Sequence, residues 1–133
     1  MTPDVFPPEK RSRIMSRIRS KHTKPEERLA ELLDSLGVRY VRYARILGHT
    51  VDFYVPDRKL VIEYRSCFWH FCPIHGKIPE TNRGYWERKL KRNRERDLEL
   101  ERLLAENGYR LLVIWSHDEK RMDELVRGTL ADA

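Results

Sequence analysis

Residues 50–66 read "TVDFYVPDRKLVIEYRS", and the way they pair decides the fold. Two runs rich in β-branched and aromatic residues flank Pro56-Asp57-Arg58, a turn signal. The stretch therefore predicts a hairpin around 56–59. With Val55 opposite Leu60, Asp52 falls opposite Glu63. Period-2 alternation then puts Asp52, Tyr54, Val61, Glu63 and Arg65 on one face, and Val51, Phe53, Leu60 and Ile62 on the other. Carboxylates facing each other across two strands repel. A divalent cation turns that repulsion into coordination, and Mg2+ favours carboxylates and water. A slip of one residue would separate the pair. In the competing reading, Glu63 pairs with a neighbouring Arg and Asp52 merely starts a strand.

The flanking sequence supplies the rest of an α/β chain. A helix is expected over about 9–20, with Ile14, Met15 and Ile18 as its apolar stripe. Thr23 and Glu26 fit a capping box that opens a second helix. Leu29, Leu32, Leu33 and Leu36 form its buried face, and Gly37 ends it. "VRYVRYARI" (38–46) has strand composition. A long polar helix is predicted from about Asn82 to Asn107. "YRLLVIW" (109–115) reads as a buried strand, being continuously apolar. A last helix is predicted over about 118–130, with Met122, Leu125, Val126 and Leu130 facing inward. The order ααβββαβα points to an α/β sandwich around a mixed sheet.

At 133 residues there is room for one domain with a real core. The longest apolar runs, such as Leu111 to Trp115, are far too short to cross a bilayer. "MTPDVFPPEKRSR" at the start lacks a secretory apolar stretch. An intracellular, cytoplasmic chain is expected, one without a membrane partner. Lys and Arg number 27 against 21 Asp and Glu, and the excess is concentrated. Residues 10–24 carry Arg11 and Arg17 among seven cations, and no acid follows Glu9 there. "ERKLKRNRER" (87–96) is the second cluster. Basic concentrations of this kind suit a polyanion such as nucleic acid, although a single cluster also reads as a solvated helix face.

Both cysteines of the chain stand in "CFWHFCPIH", residues 67–75. In a reducing compartment, metal is favoured over a Cys67–Cys72 disulfide. Cys67, Cys72 and His75 are three candidate zinc ligands of the type zinc prefers, and a structural site needs four. His70 and His117 are the candidates for the fourth. His117 is preferred, because the chain leaving strand 109–115 can return to this loop. The competing reading is two buried free thiols with surface histidines.

The chain resembles the very-short-patch repair (Vsr) DNA mismatch endonucleases. The resemblance rests on "CFWHFCPIHGKIPETNRGYWERKLKRNRERD", "RSRIMSRIRSKHTKPEERLAELL" and "GYRLLVIWSHD", and spans about residues 9–120. It implies a restriction-endonuclease-like fold and a Mg2+-dependent nick 5′ of the thymine in a T:G mismatch. Such mismatches arise from deaminated 5-methylcytosine. It further implies Asp52 as the Mg2+ carboxylate, with the Tyr64 backbone carbonyl as a further ligand. His70 would act on the attacking water, and Glu26 would assist. Zinc would sit on Cys67, Cys72, His75 and His117. Phe68, Trp69 and Trp86 would form an aromatic wedge entering the base stack. Asn93 and Arg96, in the matching "NRERD", are expected to contact DNA with Arg11 and Arg17. On this resemblance, residues 1–20 form a basic clamp on double-stranded DNA, and 21–133 a single endonuclease domain working as a monomer in a bacterial cell.

Glu26 also completes the capping box, and Phe68, Trp69 and Trp86 could equally be core. The match also departs from the family pattern. Family members commonly carry small or polar residues before the first zinc cysteine and an apolar residue where Glu63 stands. Here the run is Glu63-Tyr64-Arg65-Ser66. "EYR" approaches the Glu-x-Lys element of the wider restriction-nuclease superfamily. Arg65 cannot serve as a base, although it could stabilise a phosphate. Glu63 either adds a catalytic metal ligand, or the bulky "YR" obstructs the site. Two other functions remain open from sequence: a zinc-stabilised DNA-binding module without catalysis, and a restriction-type nuclease with another substrate.

Overall fold

Val55 faces Leu60, Tyr54 faces Val61 and Phe53 faces Ile62, which is the register expected from the sequence. The computed structural model describes residues 23–132. The expected helix over 9–20, the basic segment 1–20, Arg11 and Arg17 lie outside the described residues.

In chain order the elements are α1 (Lys24–Ser35), β1 (Val41–Arg42), β2 (Arg45–Ile46), β3 (His49–Thr50), β4 (Phe53–Val55), β5 (Leu60–Arg65), α2 (Arg83–Glu106), β6 (Arg110–Trp115) and α3 (Met122–Ala131). The chain divides into two compact units between Leu36 and Gly37. In the first, Thr23 caps α1 by accepting a hydrogen bond from the Glu26 N–H at 3.4 Å. Glu26, Leu29, Ala30 and Leu33 are buried there.

The second unit is built on β5. One edge of β5 pairs antiparallel with β4, and the other pairs in parallel with β6, from Leu60 opposite Arg110 to Arg65 opposite Trp115. Parallel neighbours need a long crossover, and α2 supplies it. The sheet runs β1-β4-β5-β6 and is mixed. Helices lie on both faces. Leu100 and Leu104 of α2 join Ile46, Val51 and Val61 in one apolar cluster. On the opposite face Arg110, in register with Leu60, reaches the Thr129 carbonyl of α3 at 2.8 Å. Tyr64, also on that face, donates its hydroxyl hydrogen to Glu119 at 3.1 Å. The α/β/α sandwich expected from the sequence is the arrangement of this unit.

Three local expectations are corrected. The strand predicted over 38–46 is broken at Tyr43, whose φ of 57° is left-handed. β1 stays in the main sheet, while β2 turns back on β3 around Leu47 and Gly48, both at positive φ. That is the hairpin geometry compatible with strand twist. β6 is an edge strand, so only Ile114 of its six residues is fully buried. The last helix begins at Met122, because Ser116–Arg121 form a 3-10 stretch. Its Asp118 engages both His117 and Arg121. Among the described residues no helix is long and apolar enough to cross a membrane.

Candidate active site and metal cluster

The expected functional side chains of the second unit gather at the C-terminal end of β5. Asp52 is reached by a bend just before β4. That bend breaks the period-2 alternation. Val51 joins the Val61 cluster, where the sequence had put it on the other face. The Asp52 carboxylate turns to the strand edge, and its Oδ2 accepts the Tyr64 N–H at 2.9 Å. In an extended residue, N–H and C=O point to the same side. The Tyr64 carbonyl therefore opens toward the edge where Asp52 lies. A carboxylate and a backbone carbonyl are the hard oxygen donors that suit Mg2+.

The loop after β5 folds back tightly. His70 N–H bonds the Ser66 carbonyl at 3.1 Å, and Cys72 N–H bonds the Cys67 carbonyl at 2.9 Å. Phe71 takes a left-handed φ of 46°. Gly76 closes the loop on the Cys72 carbonyl, where a Cβ would come within 2.6 Å of that oxygen. The compact loop fixes the His70 ring, whose Nδ1 lies 2.7 Å from Oδ2 of Asp97 on α2. A carboxylate on Nδ1 selects the tautomer that leaves Nε2 with its lone pair.

Glu63 and Arg65 lie one residue to either side of Tyr64 and point toward α2. The Arg65 Nε bonds Glu63 Oε1 at 3.1 Å, and its Nη1 bonds Glu101 Oε2 at 2.6 Å. Nη2 is 3.0 Å from the same Glu63 oxygen but off the hydrogen-bonding direction, so that contact is purely ionic. Burial pushes the Glu63 carboxyl above its ordinary range, while the Arg65 guanidinium pulls it back. Burial also works against the Arg65 cation. The charges of Asp97 and Glu63 and the bond to Glu101 outweigh it and hold the proton more firmly than usual. Arg65 is 2% exposed, so it organises acids within the protein rather than meeting a phosphate at the surface. The facing pair of Asp52 and Glu63 imagined from the hairpin is replaced by two separate engagements.

Cys67, Cys72, His75 and His117 bring one ligand atom each to within 4.8 Å of one another. With ordinary zinc bond lengths, a tetrahedron of two thiolates and two imidazoles has S···N edges of about 3.5 Å and an N···N edge of about 3.3 Å. Three S···N edges here are 3.2, 3.6 and 3.9 Å. The N···N edge between His75 and His117 is 3.3 Å. The donor set and its spacing fit zinc. Supporting groups surround it. Ser116 Oγ donates to Cys67 Sγ at 3.0 Å and accepts the Cys67 N–H at 3.0 Å. Asp118 lies 3.5 Å from His117 Nε2, where an outer carboxylate would orient the imidazole toward a metal. His70 stands outside this cluster, with Asp97.

Phe68, Trp69 and Trp86 meet edge to face, with centroids 5.2–5.7 Å apart, and all are half-buried. Asn93 donates to the Trp69 carbonyl at 2.9 Å, and Arg96 is exposed. Glu26 belongs to the first unit. The sequence reading missed Asp97, Glu101 and Ser116. Asp97 had a signal: it falls on the inward stripe Trp86, Leu90, Asn93, Asp97, Leu100, Leu104, where a carboxylate needs a partner.

The second unit thus holds a carboxylate bonded to the Tyr64 N–H and, on the loop that follows the same strand, a carboxylate-bound histidine. The family model described as "DNA mismatch endonuclease Vsr" matches residues 3–75. The Type II nicking enzyme V.XorIIP of Xanthomonas oryzae is 40% identical over 84% of this chain and 83% of its own length. The DNA mismatch endonuclease Vsr of Escherichia coli is 36% identical over 84% of this chain and 72% of its own length. Among solved structures, the catalytic domain of the homing endonuclease I-Bth0305I superposes with a TM-score of 0.42 at 25% identity, covering 82% of this chain and 89% of that one. The protein is thus a DNA endonuclease with an α/β fold built on a mixed sheet. It belongs to the Vsr family of DNA mismatch endonucleases.

Proposed function

We propose that this endonuclease nicks one strand 5′ of the thymine in a T:G mismatch, in a Mg2+-dependent reaction that opens very-short-patch repair of deaminated 5-methylcytosine. The observation that carries the reading is the 2.7 Å contact of His70 Nδ1 with Asp97, on the loop that follows the strand whose Tyr64 N–H bonds Asp52. Asp97 holds the imidazole so that Nε2 takes the proton from the attacking water. Asp52 and the Tyr64 carbonyl would hold Mg2+, which supplies charge stabilisation on the scissile phosphate. Glu63 acts from within by fixing Arg65, and Glu26 assists.

Zinc on Cys67, Cys72, His75 and His117 would be structural and would hold the loop that presents Phe68, Trp69 and His70. Phe68, Trp69 and Trp86 enter the stack beside the mispair. Unstacking costs a few kcal/mol per step, and a mispair resists distortion less than a matched pair. Residues 1–20, with Arg11 and Arg17, clamp the duplex, and Asn93 and Arg96 contact it from α2. The enzyme works as a monomer in the bacterial cytoplasm.

The test is strand-resolved cleavage of matched and T:G plasmids by the purified chain, with and without Mg2+. One nick on the thymine strand of the mismatched plasmid is expected. Linear product from matched plasmid would favour a restriction-type enzyme. Mismatch binding with no product in any metal would favour a non-catalytic module.

A further inference from the structure

The long helix α2 carries its charges against its own stability. Its first half, "RGYWERKLKRNRER" (83–96), sets seven Lys or Arg against two Glu, and its second half, "DLELERLLAE" (97–106), sets four acids against one Arg. The first turn holds no acid and the last turn no base. A helix favours the reverse, because its N-terminal end is positive. Within the basic half, Arg88, Arg92 and Arg96 follow one another at i, i+4 spacing, where like charges repel. All three are exposed, and none pairs with a carboxylate among the described residues. Elsewhere the molecule matches helical cations with acids, as in Arg102–Glu106 at 3.0 Å and Arg127–Asp123 at 2.6 Å. The ladder on α2 is therefore unexplained by folding.

Its position points to what it meets. The ladder runs beside the inward stripe that carries Trp86, Asn93 and Asp97. At its head stands Tyr85, 53% exposed, with its ring 5.1 Å from that of Trp86. From Tyr85 to Arg96 the helix rises about 16 Å, close to the length of five base pairs at about 3.4 Å each along the duplex axis. We infer that Arg88, Arg92 and Arg96 form a rail for the phosphate backbone of one DNA strand, headed by Tyr85 and running past the His70–Asp97 pair. The inference deepens the DNA-endonuclease reading and rests on it. The phosphates of bound DNA would neutralise the repulsion within the ladder.

The experiment measures duplex binding by the full chain across a salt series, together with thermal melting. Arg92→Ala is expected to reduce the slope of log Kobs against log salt by about 0.9, and to weaken binding roughly eightfold at 0.1 M salt. Tyr85→Ala is expected to weaken binding at every salt concentration with the slope kept, because stacking releases no counterions. Arg92→Glu places an acid between two arginines. It is expected to bind more weakly still while melting roughly 2–6 °C higher. Unchanged slopes in both Arg88→Ala and Arg92→Ala would overturn the rail, as would a lower melting temperature for Arg92→Glu. A parent chain that binds no duplex would overturn the DNA reading and the rail with it.

Discussion

His70 Nδ1 and Asp97 Oδ2 meet at 2.7 Å across 27 residues of sequence, joining the loop after β5 to the middle of α2. Each needs the other. The histidine takes its orientation from the acid, and the acid sits on a helix stripe that is otherwise largely apolar. Asp97→Asn keeps the shape but can favour the other tautomer. Its cleavage rate is expected to fall roughly 10²–10⁴-fold, the range for losing general-base action. Single-turnover cleavage checks this, and a loss under threefold would remove Asp97 from the site.

Asp52→Asn is expected to abolish cleavage at any Mg2+ concentration while leaving the melting temperature within a few degrees, because the amide oxygen still accepts the Tyr64 N–H. Wild-type rates in this variant would move the metal site elsewhere.

The charges buried around Arg65 lead to a stability prediction with a pH signature. Glu63→Ala strands a buried cation and is expected to destabilise the fold by about 3–5 kcal/mol, whereas Glu63→Leu with Arg65→Met should recover most of that loss. Burial raises the Glu63 carboxyl, so the folded chain holds its proton to higher pH than the unfolded chain does. The stability this contributes is complete below the ordinary carboxylate range and is lost as pH rises through the raised folded value. Denaturant melts between pH 4 and 8 should show that decline in the parent and not in the double variant.

Zinc removal is the fourth test. Chelation is expected to lower the melting temperature and disorder the loop at 67–75, and Cys72→Ser should do the same without chelator. Metal analysis should give about one zinc per chain, as four ligands imply. A chain that melts identically with and without chelator would make the cluster irrelevant to folding.

The hairpin register, the cap at Thr23, the long helix and three of the four clustered Cys and His residues were legible because each depends on local spacing. Val55 must meet Leu60 across a short turn, and Cys67, Cys72 and His75 are within one loop. The partners of those residues were not legible. Nothing near Arg65 in sequence announces Glu101, and Asp97 meets His70 only because α2 crosses back over β5. Tyr43 was misread because a left-handed backbone at a tyrosine leaves no compositional trace in a run that otherwise looks like one strand. The bend at Asp52 was hidden for a related reason. Alternation is a rule for regular strands, and it fails where the strand has not yet begun.

Cys67 and His117 touch across 50 residues of sequence, and all of α2 hangs in the ring they close. On the zinc reading, the clasp of that ring is a dissociable ion. Trp86 and Asp97, which ride on the ring, would then depend on the metal supply of the cell. On the proposed roles, a cell starved of zinc would keep the polypeptide yet relax the alignment between the Phe68–Trp69–Trp86 cluster and His70, so cleavage would follow nutrition.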